Sequence, residues 1–258
     1  MTQRFCKTPL ALWWRRLPSP AVAFWYHEWV RTLSHPWQLS ISDSIDNMIQ
    51  CPRTLVLVSC VFLLPVSCKA DEWVSLFDGK TTAGWKANEK PESFTIENGE
   101  LKFKGGMAHL FCEKEGFADL KNFEFKAEVK TLPGANSGVF FHTENRGPGG
   151  LKKGYEAQIN TSFVKDPRKT GSLVDVKDLD KSPTADNEWF EFHLVVSGKR
   201  IVVNINGKPV VDYTEEDKPI RKKGREERIL SHGPIALQAH DPDSTTYFRN
   251  IQIKKLPD

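Results

Sequence analysis

Three short stretches of the sequence place polar side chains at alternating positions, a spacing that would put them on one face of a β-strand. The stretches are GVFFHTE, GYEAQIN and PIALQAH, and their polar residues are His142, Glu144, Glu156, Gln158, Gln238 and His240. An imidazole changes charge near neutral pH and a carboxylate can orient it, so these residue types suit proton transfer. If the three strands are neighbours, the set predicts one ligand-handling surface. Ordinary solvent-facing strand residues are the alternative for any one of them.

The elements that would hold these residues are strands, because hydrophobic residues recur with a period of two from Trp73 onward. In NFEFKAEVK, apolar side chains alternate with glutamate and lysine, which is typical of a strand with one buried face. Asn98-Gly99 and Asn206-Gly207 each separate two such strands and predict two tight hairpins. Further strands are expected at residues 74–77, 138–143, 155–159, 191–196, 235–239 and 247–254.

So many short strands predict an all-β sandwich, built as one domain over residues 71–258. Three longer irregular segments interrupt the pattern, at residues 144–154, 162–187 and 215–233. Loops of that length either surround a functional site or are mobile.

Residues 48–70 have the layout of a secretory signal peptide, with a basic start at Arg53, an apolar run and a small residue, Ala70, before the expected cleavage point. The apolar run is shorter than the roughly 20 residues that a membrane span needs. We therefore expect an exported protein, periplasmic or extracellular, with no transmembrane helix in the mature chain. A lipid anchor at Cys68 is the less favoured interpretation, because Pro65 stands where such sites usually carry a leucine-like residue.

Residues 1–47 contain five of the eight tryptophans without a period that would bury them together. We interpret this segment as a spurious or disordered extension, with Met48 as the true initiator. Four of the five cysteines precede residue 71, so the predicted domain keeps only Cys112 and has no internal disulfide. We expect the Cys112 thiol to be buried and inert.

Several classes of function lose support from the sequence. The net charge of +3 is too small to argue for nucleic acid, and basic and acidic residues are interspersed. There is no phosphate-binding loop, no HExxH, no paired CxxC and no GxSxG nucleophile motif. Hydride transfer, phosphoryl transfer and serine-hydrolase chemistry are therefore not favoured.

The predicted domain resembles the DUF1080 family, the 3-keto-disaccharide hydrolases, over residues 73–256. The resemblance is carried, in order, by WVSLFDGKTTAGW, NSGVFFHTE, GYEAQIN, DNEWFEFHLVVSGKRIVVNINGKPVVDY and GPIALQAHDPDSTTYFRNIQIKKLP. It implies a concanavalin A-like jelly-roll β-sandwich of two antiparallel sheets, export, and a carbohydrate partner oxidised at carbon 3.

A ketone at carbon 3 acidifies the proton on carbon 2, so one base can remove it and the glycosidic oxygen can leave from carbon 1. This chemistry suits a chain with one acid, Glu156, on the strand where the related glucanases place ExDxxE. We expect His240 or His142 to be the base, and Glu156 to orient the imidazole or bind sugar hydroxyls. Arg249, Lys177 or a bound divalent metal ion would stabilise the enolate.

Two more residues are candidate substrate contacts. Trp189 opens a strand and could stack on a sugar ring, although core packing is the usual role of such a residue. Arg249 shares its face with apolar neighbours, which suits either substrate or a structural ion pair. His109, expected in a loop, and His193, alternating with apolar residues, are interpreted as structural.

Two other functions remain open for the same fold. One is a non-catalytic carbohydrate-binding module, whose sugar binding would survive loss of the histidines. The other is an extracellular adhesion domain of laminin-G type, in which the polar face is merely solvated.

Overall fold

The computed structural model describes residues 72–258, which form thirteen β-strands and one short 3-10 helix, Pro91–Ser93. The strands are β1 Val74–Ser75, β2 Trp85–Ala87, β3 Phe94–Glu97, β4 Glu100–Lys104, β5 Ala108–Cys112, β6 Phe123–Thr131, β7 Asn136–Phe141, β8 Tyr155–Asn160, β9 Phe190–Ser197, β10 Arg200–Ile205, β11 Lys208–Thr214, β12 Ala236–Ala239 and β13 Thr245–Lys255. The predicted all-β class is confirmed.

The strands form two antiparallel sheets. The eight-stranded sheet has the order β11-β10-β9-β6-β13-β4-β3, with β1 also paired to β13. The five-stranded sheet has the order β2-β5-β12-β7-β8. The three stretches that carry the candidate polar residues therefore form or extend β12, β7 and β8, which are neighbours in this sheet.

The core lies between the two sheets because alternate side chains of each strand point inward. In β6, Phe123, Phe125, Ala127 and Val129 are buried, and the charged residues between them are partly exposed. From the five-stranded sheet, the inward residues of β8 and β12 join the same hydrophobic cluster. This packing confirms the predicted sandwich.

Both predicted hairpin turns are present. Asn98 and Gly99 have φ values of 53° and 79°, and Asn206 and Gly207 have 51° and 73°. Positive φ at both central residues is the conformation that matches the twist of the flanking strands, and asparagine and glycine are the residues that adopt it most easily. These turns fix the register of β3 with β4 and of β10 with β11.

The structure differs from the sequence expectation at β2 and β5, which were not predicted. All five residues of β5 are buried, so the strand shows no alternation of exposed and buried positions. The expectation that His109 lies in a loop is wrong, since it is the second residue of β5.

The expected strand at 138–143 begins and ends two residues earlier, as Asn136–Phe141. His142 follows it with a φ of 53°, a left-handed conformation that breaks the alternation of side chains. The prediction that His142 and Glu144 continue one face of this strand is therefore wrong.

The predicted extension, signal peptide and anchor lie outside the described residues and stay predictions. Within residues 72–258, no helix has the length and apolar character required to cross a membrane. Cys112 is a free, fully buried cysteine, as expected, and burial raises the pKa of its thiol.

Candidate functional site

The outer face of the five-stranded sheet carries rows of side chains that cross neighbouring strands. Each row is made of directly paired residues, and successive rows are about 7 Å apart along the strands. The rows are Glu156–Phe140–Ala236–Phe111, then Gln158–Gly138 and Gln238–His109, then Asn160–Asn136. His240 follows β12 directly. The register thus brings four of the predicted residues, Glu156, Gln158, Gln238 and His240, onto one surface.

A cavity of about 200 Å³ lies over this surface. Its floor is formed by Asn136, Phe140, Glu156, Gln158, Gln238 and His240. Its walls come from Met107 and from the three long loops, which contribute Gly150, Leu151, Asp166, Arg168, Arg225 and Arg228. All three loops thus border the polar surface, one of the two roles expected of them.

Gly138 leaves space at the centre of the floor. A Cβ atom at this position would lie 3.0 Å from Oε1 of Glu156 and 3.3 Å from the Phe140 ring. Such contacts would force both side chains to shift. The glycine therefore allows Glu156, on the neighbouring strand, to lie across β7.

The cavity is lined by buried polar atoms that have no hydrogen-bond partner in the protein. They are Oδ1 and Nδ2 of Asn136, Oε1 of Gln158, Oε1 of Gln238 and Nε of Arg228. These four residues are at most 5% exposed. A buried polar group without a partner costs about 1–3 kcal/mol, so such atoms are rare unless a ligand or water satisfies them. The cavity therefore offers both acceptors and donors to a polar ligand.

His240 is held by the residue that follows it. Its Nδ1 lies 2.7 Å from Oδ2 of Asp241, and the same oxygen accepts the Ser244 hydroxyl at 2.7 Å. Oδ1 of Asp241 accepts the backbone N–H groups of Asp243 and Ser244, each at 3.0 Å. Burial by itself raises the pKa of Asp241, but these hydrogen bonds outweigh it and keep the pKa below its ordinary value. The ionised carboxylate selects the tautomer with a proton on Nδ1.

The other ring nitrogen of His240, Nε2, makes no hydrogen bond within the described part of the chain. The edge of the Phe163 ring packs against the imidazole, with 5.3 Å between the ring centroids. A neutral imidazole that donates from Nδ1 to a carboxylate has its lone pair on Nε2. His240 is therefore arranged as a base beside the cavity.

Both carboxylates that line the cavity contact arginines. Oε2 of Glu156 accepts from Nη2 of Arg228 at 3.2 Å, and Asp166 accepts two bonds from Arg168 at 2.8 and 2.7 Å. Burial raises the pKa of Glu156, and the charge and hydrogen bond of Arg228 oppose the rise. Gln158 also donates to Asp166, at 3.3 Å.

His142 does not join this site. Its Nδ1 accepts the Ser231 backbone N–H at 3.1 Å, its Nε2 lies 2.9 Å from the Lys121 carbonyl, and its ring packs edge-on against Phe123 and Phe141. Burial lowers its pKa to about 4. The expectation that His142 shares a surface with Glu156 is wrong, because the left-handed backbone at 142 turns it away from the alternation of β7.

Glu144, Lys177, Arg249 and Trp189 also lie away from the cavity lining. Glu144 forms ion pairs with Arg146 and Lys153 near the surface. Lys177 is exposed and pairs through its backbone with Leu173. Arg249 and Trp189 contact each other on the outer face of the eight-stranded sheet, with the guanidinium carbon 4.0 Å from the indole centroid.

The sequence did not predict several residues that line the cavity, among them Asn136, Asp166, Arg168 and Arg228, nor Asp241, which contacts His240. Asn136 lies at the same even spacing as Gly138 and Phe140, so the alternation could have found it. Asp241 could have been found as the neighbour of His240. The arginines lie in irregular loops, where no period indicates which side chains point inward.

Within residues 72–258, no group of three or more His, Cys, Asp and Glu side chains is placed to hold a metal ion. The groups that bring positive charge to the cavity are Arg168, Arg225 and Arg228.

Comparison with known proteins agrees with the motifs. Residues 72–254 match the family described as the 3-keto-alpha-glucoside-1,2-lyase-like domain. A protein of Bacteroides thetaiotaomicron named 3-keto-disaccharide hydrolase is 41% identical over 238 residues, covering 75% of this chain and 81% of the relative.

Two solved structures from Parabacteroides distasonis, both provisionally assigned as glycosyl hydrolases, share the fold. The first has a TM-score of 0.63 at 22% identity, and the alignment covers 73% of this chain and 96% of the solved chain. The second has a TM-score of 0.55 at 24% identity, and the alignment covers 72% of this chain and 100% of the solved chain. Together with the motif resemblance, the family match and the close relative show that this chain belongs to the family of 3-keto-alpha-glucoside-1,2-lyase-like domains.

Proposed function

We propose that the protein is a carbohydrate-active enzyme that cleaves the glycosidic bond of sugars oxidised at carbon 3. Family membership and the name of the 41% identical relative support the substrate class. The observation that carries the proposal is the cavity itself, whose lining combines unpartnered amide atoms with an imidazole that has a free nitrogen. Sugar hydroxyls both donate and accept, so they complement this floor.

Ordinary glycoside hydrolysis needs two carboxyl groups about 5 to 9.5 Å apart, one acting as acid and the other as base or nucleophile. The two carboxylates in this cavity, Glu156 and Asp166, are each held by an arginine. A chemistry with one base therefore suits the cavity better than one with two free carboxyl groups.

The one-base route is elimination followed by hydration. His240 takes the proton from carbon 2 through Nε2, and the C–H electron pair moves onto the carbon 3 oxygen as an enolate. The enolate returns to the ketone while a double bond forms between carbons 1 and 2 and the glycosidic bond breaks. His240 returns its proton to the departing oxygen. Water then adds a hydroxyl at carbon 1 and a proton at carbon 2.

Asp241 is a positioning residue in this scheme. Because its carboxylate accepts a hydrogen bond from Nδ1–H, Asp241 keeps the lone pair on Nε2 and stabilises the imidazolium that forms after proton transfer. Glu156 was expected either to orient the imidazole or to bind sugar hydroxyls. Its hydrogen bond to Arg228 and its place in the floor support the second role.

Arg228 is the proposed enolate-stabilising group. Its side chain is 3% exposed, and its Nε proton has no acceptor in the protein. A guanidinium held in a water-poor site stabilises a developing oxyanion more strongly than it would in water. Arg249 and Lys177, the residues first considered for this role, lie outside the cavity lining.

The test is to incubate the protein in deuterated water with methyl 3-keto-α-glucoside and, separately, with the unoxidised glucoside. We expect cleavage of the keto sugar alone, with one deuterium at carbon 2 of the product, measured by mass spectrometry and NMR. A sample without protein corrects for spontaneous exchange. Cleavage of the unoxidised sugar, or product without deuterium at carbon 2, would contradict the mechanism. Sugar binding without turnover would favour the non-catalytic carbohydrate-binding alternative.

A further inference from the structure

Two apolar side chains, of Met107 and Phe163, lie next to His240. Ala108 pairs with Ala239, so Met107, which precedes β5, and His240, which follows β12, are adjacent to the last residue pair of these two strands. Met107 is 39% exposed and lines the cavity. On the loop after β8, the partly buried Phe163 packs against His240, and its neighbour Val164 is 89% exposed. Met107 and Val164 are two of four large hydrophobic residues exposed within residues 72–258.

Met107 and the polar groups of β7 and β8 lie on different sides of His240. Asn136, Gln158 and Glu156, which can hydrogen-bond a sugar ring, belong to β7 and β8. Met107 borders the imidazole from the opposite side, where β5 pairs with β12. A sugar ring over β7 and β8 would therefore leave the Met107 side of the imidazole for whatever is attached to the ring.

We propose that Met107 and Phe163 form an apolar subsite for the departing group, so that the protein prefers 3-keto-glycosides with an apolar aglycone. This inference rests on the proposed function. The base acts on carbon 2 and the departing oxygen is bonded to carbon 1, so the aglycone begins next to the imidazole. Met107, on the opposite side of the imidazole from the sugar, and Phe163, which packs against the imidazole, are thus the apolar side chains nearest to it.

The chemistry of this subsite differs from that of the floor. A thioether and an aromatic edge offer dispersion and apolar burial but no strong hydrogen bond, so they favour alkyl or ring hydrocarbon over a second sugar. A second sugar would lose water from several hydroxyls at Met107 without gaining partners there.

The experiment compares two substrates with unactivated leaving groups, methyl and cyclohexylmethyl 3-keto-α-glucoside. We expect kcat/KM to be about tenfold or more higher for the cyclohexylmethyl compound, the range that apolar pockets achieve for added hydrocarbon. Met107→Gln, which keeps the length of the side chain, and Phe163→Ala should each bring the ratio close to one. Ile220→Gln changes a residue that is 94% exposed outside the cavity lining and should leave the ratio unchanged.

The outcomes separate the two proposals. Equal kcat/KM for both compounds in the unmodified protein would overturn the apolar subsite while leaving the proposed function intact. If both Met107→Gln and Phe163→Ala kept the preference for the cyclohexylmethyl compound, the apolar subsite would not be formed by these two side chains. No cleavage of either keto sugar would overturn the proposed function, and the subsite with it.

Discussion

The outer faces of the two sheets are built from the same alternation but differ in how their polar groups are paired. On the eight-stranded sheet, the carboxylate of Glu124 accepts from Lys254 at 2.7 Å and contacts His193 at 2.9 Å. Arg249 likewise donates to Glu128 at 2.6 Å. On the five-stranded sheet, both amide atoms of Asn136 and the amide oxygens of Gln158 and Gln238 are buried beside a cavity and have no protein partner. Pairing, rather than polarity, separates a solvated face from a candidate site.

The difference follows from what covers each face. Long loops fold over the five-stranded sheet and take its polar groups away from water, so each unpaired group carries a cost. On the eight-stranded sheet, long charged side chains reach their neighbours and lie over aromatic rings, as Lys130 does at 4.5 Å from the Trp189 ring. Such contacts give the charged groups of the eight-stranded sheet partners within the protein, so these groups need no ligand.

The largest expected effect separates two residues that the sequence offered as site candidates. His240→Gln should lower kcat on a 3-keto-glucoside by about 10²- to 10⁴-fold, because it removes the base. Arg249→Gln should leave turnover unchanged and cost at most about 1 kcal/mol of stability, because it breaks a partly exposed ion pair. Initial rates and urea unfolding measure both. If Arg249→Gln loses turnover as His240→Gln does, the distinction between the two faces fails.

The second prediction concerns acid stability. His109, on the five-stranded sheet, is fully buried, and burial lowers its pKa from 6.5 to about 4. Between those pH values the unfolded chain binds a proton at His109 that the folded protein does not. His109 therefore does not lower the free energy of unfolding above pH 6.5, and it lowers that free energy progressively as the pH drops toward 4. His109→Gln should remove roughly 3 kcal/mol of that loss.

Urea unfolding at pH 7 and pH 4.5 measures the effect. His193→Gln is the matched control on the eight-stranded sheet. His193 is only half-buried and contacts Glu124, so its protonated form has a partner and its removal should flatten the acid profile less. An equal flattening by the two variants would contradict the contrast.

The smallest expected effect is on the floor amides. Gln238→Leu removes a buried oxygen that lacks a partner and also an amide nitrogen 3.4 Å from Nε2 of His109, so the two effects oppose and the free energy of unfolding should change by at most about 1 kcal/mol. Turnover should nevertheless fall, because a sugar contact is lost. Gln252→Leu, at an exposed position of β13, should leave turnover unchanged. A clear loss of stability in Gln238→Leu would mean that this amide is structural.

The sequence predicted most strands because the sandwich exposes one face of many of them, and alternation survives there. It missed β5, whose residues are all buried, and with it the place of His109. The polar surface was predicted as far as regular strand geometry extends, which includes Glu156, Gln158, Gln238 and His240. His142 was misplaced because one left-handed residue ends the period. Arg168 and Arg228 lie in loops whose path depends on tertiary contacts.

Strict alternation in β7 and β8 also bears on how this fold can change its substrate. Inward residues such as Val139 and Ala157 hold the sandwich together, while the neighbouring positions 138 and 156 lie on the outer face, where Glu156 lines the cavity. Floor positions can therefore be exchanged by single mutations without repacking the core. Position 138 is sensitive to substitution, since an added methyl group would lie 3.0 Å from Oε1 of Glu156 and would shift that side chain. Evolution or a protein engineer can thus alter recognition in steps that leave folding intact.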